Sequence, residues 1–172
     1  MVCLIVWFWS YRPLGPQTNV PLSVVTRGGW KVCFATTYAD ALPNSTVQDI
    51  HDNNCTKQNI MLACGRSNDS DVPETLQLLA WAPRDDVFGM TDDVGNVTQG
   101  TRFYRTGDDG VMGFTGGHQE NRGETGGRCS DQNEGGQHML CWFTSGKYAG
   151  GRCGKDMGLS TSEWKQIFLQ SY

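Results

Sequence analysis

Six cysteines, Cys33, Cys55, Cys64, Cys129, Cys141 and Cys153, run through the body of the chain, and no other feature constrains its fold as strongly. They form no C-x-x-C pair and only three histidines accompany them, so the pattern argues against a zinc module and for a disulfide framework. Spacing alone does not choose among the many pairings that six cysteines allow. Cys129 with Cys141 is a plausible pair, because the two flank the Gly-rich turn that leads into an apolar segment. Cys3 is left over, either as a buried free thiol or as a bond to another chain.

Four Asn-X-Ser/Thr sequons, at Asn44, Asn54, Asn68 and Asn96, point with the disulfides to an extracellular protein carrying N-linked glycans. The formal charge of −4, from 14 Lys and Arg against 18 Asp and Glu, offers no basic stripe for phosphates, so nucleic acid is a poor partner.

Charged residues make up only 19% of the chain, and its 22 glycines and 6 tryptophans suit short strands and tight turns better than amphipathic helices. Strands are expected at residues 20–26, 30–34, 59–64, 75–81, 138–144, 147–153 and 164–169, with 59–64 and 75–81 forming a hairpin. Residues 44–51 give the one short helix, with Ser45 or Thr46 as cap and Asp49 complementing the dipole. Between residues 107 and 136 the chain is rich in Gly, Asp and Asn and reads as loops around one weak strand at 111–114. The fold class is all-β, a disulfide-stapled sandwich or jelly roll.

The first residues stand apart. Val2, Cys3, Leu4, Ile5, Val6, Trp7, Phe8 and Trp9 are unbroken by any polar residue. The run is too short to span a bilayer, which needs about 20 apolar residues. It lacks the basic start and small-residue cleavage site of a signal peptide, so it is read as part of the mature protein. Its β-branched and aromatic content fits a strand buried on both faces, and left bare it would aggregate. It belongs either in the core of its own domain or, carried on the Pro-rich spacer at residues 12–16, against the sheet edge of a neighbouring copy. Residues 1–28 are accordingly set apart as an assembly segment and residues 29–172 as the Cys-rich β-domain.

Catalytic and metal chemistry find little support. His51, His118 and His138 sit in unrelated contexts, and no G-x-S-x-G elbow occurs. The acidic pairs Asp85-Asp86, Asp92-Asp93 and Asp108-Asp109 admit Ca²⁺ in loops, but they lack the twelve-residue EF-hand spacing. No other cofactor is suggested, and the chain is not read as an enzyme. The tryptophans admit a sugar-stacking platform, although most lie in apolar runs that favour core packing.

The segments Gly29-Trp-Lys-Val-Cys33, Asn59-Ile-Met-Leu-Ala-Cys64, Leu78-Leu-Ala-Trp-Ala-Pro-Arg84, Leu140-Cys-Trp142 and Gly151-Arg-Cys153 occur in that order. Together they resemble a Cys-rich secreted domain of uncharacterised function that recurs in extracellular proteins. The resemblance covers residues 29 to 169 and implies an extracellular β-domain, with no activity attached. The chain departs from the pattern at Gly65-Arg66 and in a longer Gly-rich insertion before Cys129.

The sequence therefore leads to a structural subunit of an extracellular glycosylated filament, a helical homopolymer in which the apolar strand completes the sheet of an adjacent copy. The alternative is a secreted carbohydrate-binding or adhesive module.

Overall fold

The computed structural model describes residues 10–67, 72–91, 95–107, 110–116, 129, 134–145 and 150–172. Two antiparallel sheets pack face to face. The first has the order β1-β4-β3-β11-β2 and the second β10-β9-β8-β7-β6-β5. In the first sheet β1 is Gln17–Pro21, β2 Lys31–Thr37, β3 Asn59–Arg66, β4 Thr75–Pro83 and β11 Trp164–Ser171. The second sheet is a meander of β5 Asn96–Thr98, β6 Thr101–Arg105, β7 Val111–Gly116, β8 Leu140–Phe143, β9 Gly151–Cys153 and β10 Asp156–Leu159.

The apolar runs of β3 and β4 occupy the centre because both faces of the first sheet are covered. On the inner face Leu62 lies opposite Phe168 and Ala80, and these meet Phe103, Met112, Phe114 and Trp142 of the second sheet. On the outer face Met61, Ala63, Leu79, Trp81, Ile167 and Leu169 pack under Val25 and Trp30. The expected hairpin of residues 59–64 and 75–81 is present, with Ile60 opposite Ala82 and Cys64 opposite Leu78.

Three disulfides staple the sandwich: Cys33–Cys55, Cys64–Cys153 and Cys129–Cys141. Cys64 on β3 and Cys153 on β9 join the two sheets and are wholly buried. The third is the pair that the Gly-rich turn suggests.

Several local expectations need correction. The strand expected at residues 20–26 ends early: β1 stops at Pro21 and Leu22–Arg27 form a short helix, α1. Pro21 has no N–H for a ladder, and burial of Val25 outweighs the strand preference of Val24 and Val25. The expected helix is α2, Asn44–Asp49, which runs on into a π-helical turn at Ile50–Asn54. Neither Ser45 nor Thr46 caps it. The N-cap position is Pro43, which makes no side-chain cap bond, and Asp49 ends the helix, too far along to complement its start. A third short helix, α3, spans Arg84–Phe88.

No sequence pattern marks strand β6, and the weak strand expected at residues 111–114 is β7, a buried strand between β6 and β8. Its glycines make it look weaker in the sequence than it is in the sheet. Gly113 has to be glycine: a Cβ there would stand 2.0 Å from the Leu140 carbonyl oxygen. Within residues 1–28, β1 and α1 are built into the domain, β1 pairing with β4 along Gln17–Pro21.

Candidate functional site

An apolar strand in search of cover needs an edge with unpaired backbone groups. The two sheets end in four strands: β1, β2, β5 and β10. Three of them are poor acceptors. Strand β1 ends in Pro21 and carries Asn19 in a left-handed conformation, φ 54°. Strand β5 is three residues long, and β10 is broken by a register shift between Met157 and Leu159. Strand β2 has seven residues and no proline, and among the described residues it pairs with β11 alone.

Hydrogen-bond alternation identifies the open groups. Tyr38 N–H donates to the Trp164 carbonyl at 2.9 Å, and with Thr36 opposite Gln166 and Phe34 opposite Phe168, the even residues bond to β11. Ala35 and Thr37 therefore turn their N–H and C=O outward. Cys33 is the extra residue where the register shifts, since Phe34 faces Phe168 while Val32 faces Leu169, and the bond to Cys55 fixes it.

Asp40 closes one end of this edge. Its carboxylate accepts hydrogen bonds from the hydroxyls of Thr36 and Thr37 at 2.9 Å each and from Thr37 N–H at 3.3 Å, while Asp40 N–H donates to the Thr37 carbonyl at 3.2 Å. Both outward groups of Thr37 are thus occupied, and Ala35 presents the open pair. The Thr36 and Thr37 hydroxyl bonds hold the Asp40 carboxyl below its ordinary pKa, helped by Thr37 N–H and by the charge of Lys165. A carboxyl with a lowered folded-state pKa stabilises the fold above its unfolded pKa and loses that contribution as pH falls through the folded value. Asp40→Ala is expected to lower stability near neutral pH by under about 1 kcal/mol. In denaturant titrations the gap to the parent protein should close as the pH falls below the ordinary carboxylate range.

The spacer before β1 is a strap bonded to the domain. Trp30 Nε1 donates to the Tyr11 carbonyl at 2.6 Å, and Trp81 Nε1 to the Pro13 carbonyl at 2.8 Å. The Arg12 guanidinium lies 5.4 Å from the centre of the Trp81 ring and also bonds the Tyr172 carbonyl. Gly15 N–H donates to the Gln99 carbonyl, and Tyr11 N–H to the Gly28 carbonyl at 3.1 Å. Gly28 must lack a side chain, because a Cβ there would stand 2.2 Å from Tyr11 Cβ. The strap so fixes residues 10–15 on the domain, beside a pocket of about 570 Å³ lined by Tyr11, Pro13 and Val24.

The other expected site residues are dispersed. Val2 to Trp9, with Cys3, lie outside the described residues, as do Asn68, His118, Asp92, Asp93, Asp108, Asp109 and the side chain of Asn96. Asp85 and Asp86 begin α3, His51 lies in the π-helical turn, and His138 ends a 3₁₀ turn at Glu134–His138. Among the described residues no group of three or more His, Cys, Asp or Glu is placed to hold a metal ion. Trp30, Trp81 and Trp142 are buried, so their ring faces are not open for stacking on a sugar. No helix of the described residues is long and apolar enough to cross a membrane.

Asn54 is exposed, whereas Asn44 is drawn into a network around Arg105, a residue that no sequence motif marks. Arg105 is only 4% exposed and has no carboxylate within ion-pairing distance among the described residues. Its guanidinium donates to Asn44 Oδ1 at 3.0 Å, to the Asn44 carbonyl at 3.1 Å and to the Phe88 carbonyl at 2.9 Å. Burial lowers its pKa, with the charge of Asp52 opposing.

Comparisons with protein-family models, with curated proteins and with solved structures find no match for this chain. The resemblance over residues 29 to 169 rests on the motifs alone.

Proposed function

We propose that this protein is a structural subunit of an extracellular filament, in which the apolar run at residues 2–9 adds as a strand to the open edge of β2 on an adjacent copy. The observation that carries this reading is that edge, with the backbone groups of Ala35 turned outward and β2 bonded on one side only among the described residues. An eight-residue strand extends about 27 Å and matches a seven-residue acceptor in length.

The choice of an adjacent copy follows from burial. Strand β2 is itself exposed or half-buried along its whole length. A strand placed outboard of it on the same domain would be left with bare faces, yet residues 2–9 are apolar on both. Two copies together supply the missing cover, and a head-to-tail contact of this kind propagates into a filament. The disulfides and sequons suit an extracellular setting, and N-linked glycans are part of the same proposal.

Two variants test it. Deleting residues 1–10 removes the donor and should leave only non-polymerising protein by sedimentation and microscopy. Ala35→Pro removes the outward N–H while sparing the bonds between β2 and β11, so it should keep the fold and lose assembly. Polymers that form normally from either variant would overturn the proposal.

A further inference from the structure

We infer that, of the two sequons whose asparagine side chains the structure describes, Asn54 accepts an N-linked glycan and Asn44 does not. The inference rests on the secreted reading above, and its test supplies secretion independently.

The two asparagines differ in what their amides already do. Asn44 Nδ2 donates to the Thr106 carbonyl at 3.1 Å while Oδ1 accepts from Arg105 Nε at 3.0 Å. Its main chain is held as well, the carbonyl by Arg105 and the N–H by the Thr144 carbonyl. Around it Arg105, Thr106 and Thr144 are 4%, 8% and 2% exposed. A sugar on Nδ2 would have to occupy this ground, and displacing the amide would strip the buried guanidinium of its Oδ1 acceptor. The Asn44 amide is a strut of the fold.

Asn54 ends the π-helical turn, is exposed, and has no side-chain hydrogen bond among the described residues. Thr56, the hydroxyl residue of its sequon, is exposed too. Cys55 between them points inward to Cys33, which leaves the asparagine and threonine on the solvent side. In the transfer, the nitrogen of the Asn54 amide attacks the anomeric carbon of a lipid-linked oligosaccharide diphosphate. A C–N bond forms, the C–O bond to the diphosphate breaks, the lipid diphosphate leaves with the bonding pair, and one amide proton is lost. The remaining N–H needs no acceptor in the protein. The bond from Cys55 to Cys33 places this glycan close to β2.

The test is to secrete the full chain from a eukaryotic host behind a cleavable leader and map the folded fraction by glycopeptide mass spectrometry. Asn54 should be occupied and Asn44 bare. Asn54→Gln should remove one glycan's mass without moving the melting temperature of enzymatically deglycosylated protein. Asn44→Gln should leave the mass of attached glycan unchanged and lower the melting temperature by roughly 5 °C. Folded protein with a glycan on Asn44, or with none on Asn54, would overturn the inference. Because the host imposes secretion and neither readout depends on polymerisation, either result leaves the filament proposal to its own test.

Discussion

Replacing Cys64 and Cys153 together by alanine should lower the unfolding free energy by about 4–5 kcal/mol, the largest loss expected from removing any one disulfide here. The pair closes 89 residues of chain, against 22 for Cys33–Cys55 and 12 for Cys129–Cys141. Restricting the unfolded chain gains with loop length, which places the second bond at about 3.4 kcal/mol and the third at about 2.8 kcal/mol. Geometry adds to the difference. Cys64–Cys153 is the bond between the two sheets, inside the core formed by Ile60, Leu62, Phe114 and Trp142. Denaturant midpoints of the three double variants should fall in that order. A Cys64–Cys153 variant no weaker than the Cys129–Cys141 variant would contradict the assignment of the inter-sheet bond.

Arg105→Met should cost about 3–4 kcal/mol although it keeps much of the side-chain volume. The loss comes from the acceptors left behind, since the carbonyls of Asn44 and Phe88 and the amide oxygen of Asn44 would all lose their donor. Arg105→Lys restores the charge but not the planar fork that spans these acceptors, so it should recover less than half. In a double-mutant cycle with Asn44→Ala the two residues should couple by more than about 1 kcal/mol. Additive losses would mean that the network holds nothing together.

The runs in β3 and β4 are legible because strands covered on both faces must be apolar at every position, as Met61 and Leu62 illustrate by facing opposite clusters. The all-β class follows from them and from the glycine-rich turns. Strand β7 is muted because its neighbours press against Gly113 and leave no room for a side chain. Helix α1 is misread because Val24 and Val25 favour strand, while the break at Pro21 and the pocket for Val25 are tertiary facts.

The candidate site is less legible than the fold. Residues 2–9 announce a need for cover, but whether β2 is central or peripheral depends on sheet order, which no local pattern encodes. The strap is hidden for the same reason. Tyr11 and Pro13 meet Trp30 and Trp81 only after the chain has folded, and what reads as a stiff spacer becomes a fixed root. Arg105 carries no mark in the sequence until the sandwich closes over it.

The most direct measurement concerns the partner of the apolar strand. Phe8 is replaced by a photoreactive benzoyl analogue, and heavy-isotope and light-isotope copies are mixed under assembly conditions before irradiation. Strand addition between copies predicts that residue 8 is joined to β2, around Val32 to Ala35, in peptides that combine heavy and light halves. Cross-links confined to single-isotope peptides would show that the strand covers its own domain, and mixed-isotope cross-links directed away from β2 would place it on another surface; either result would contradict the account.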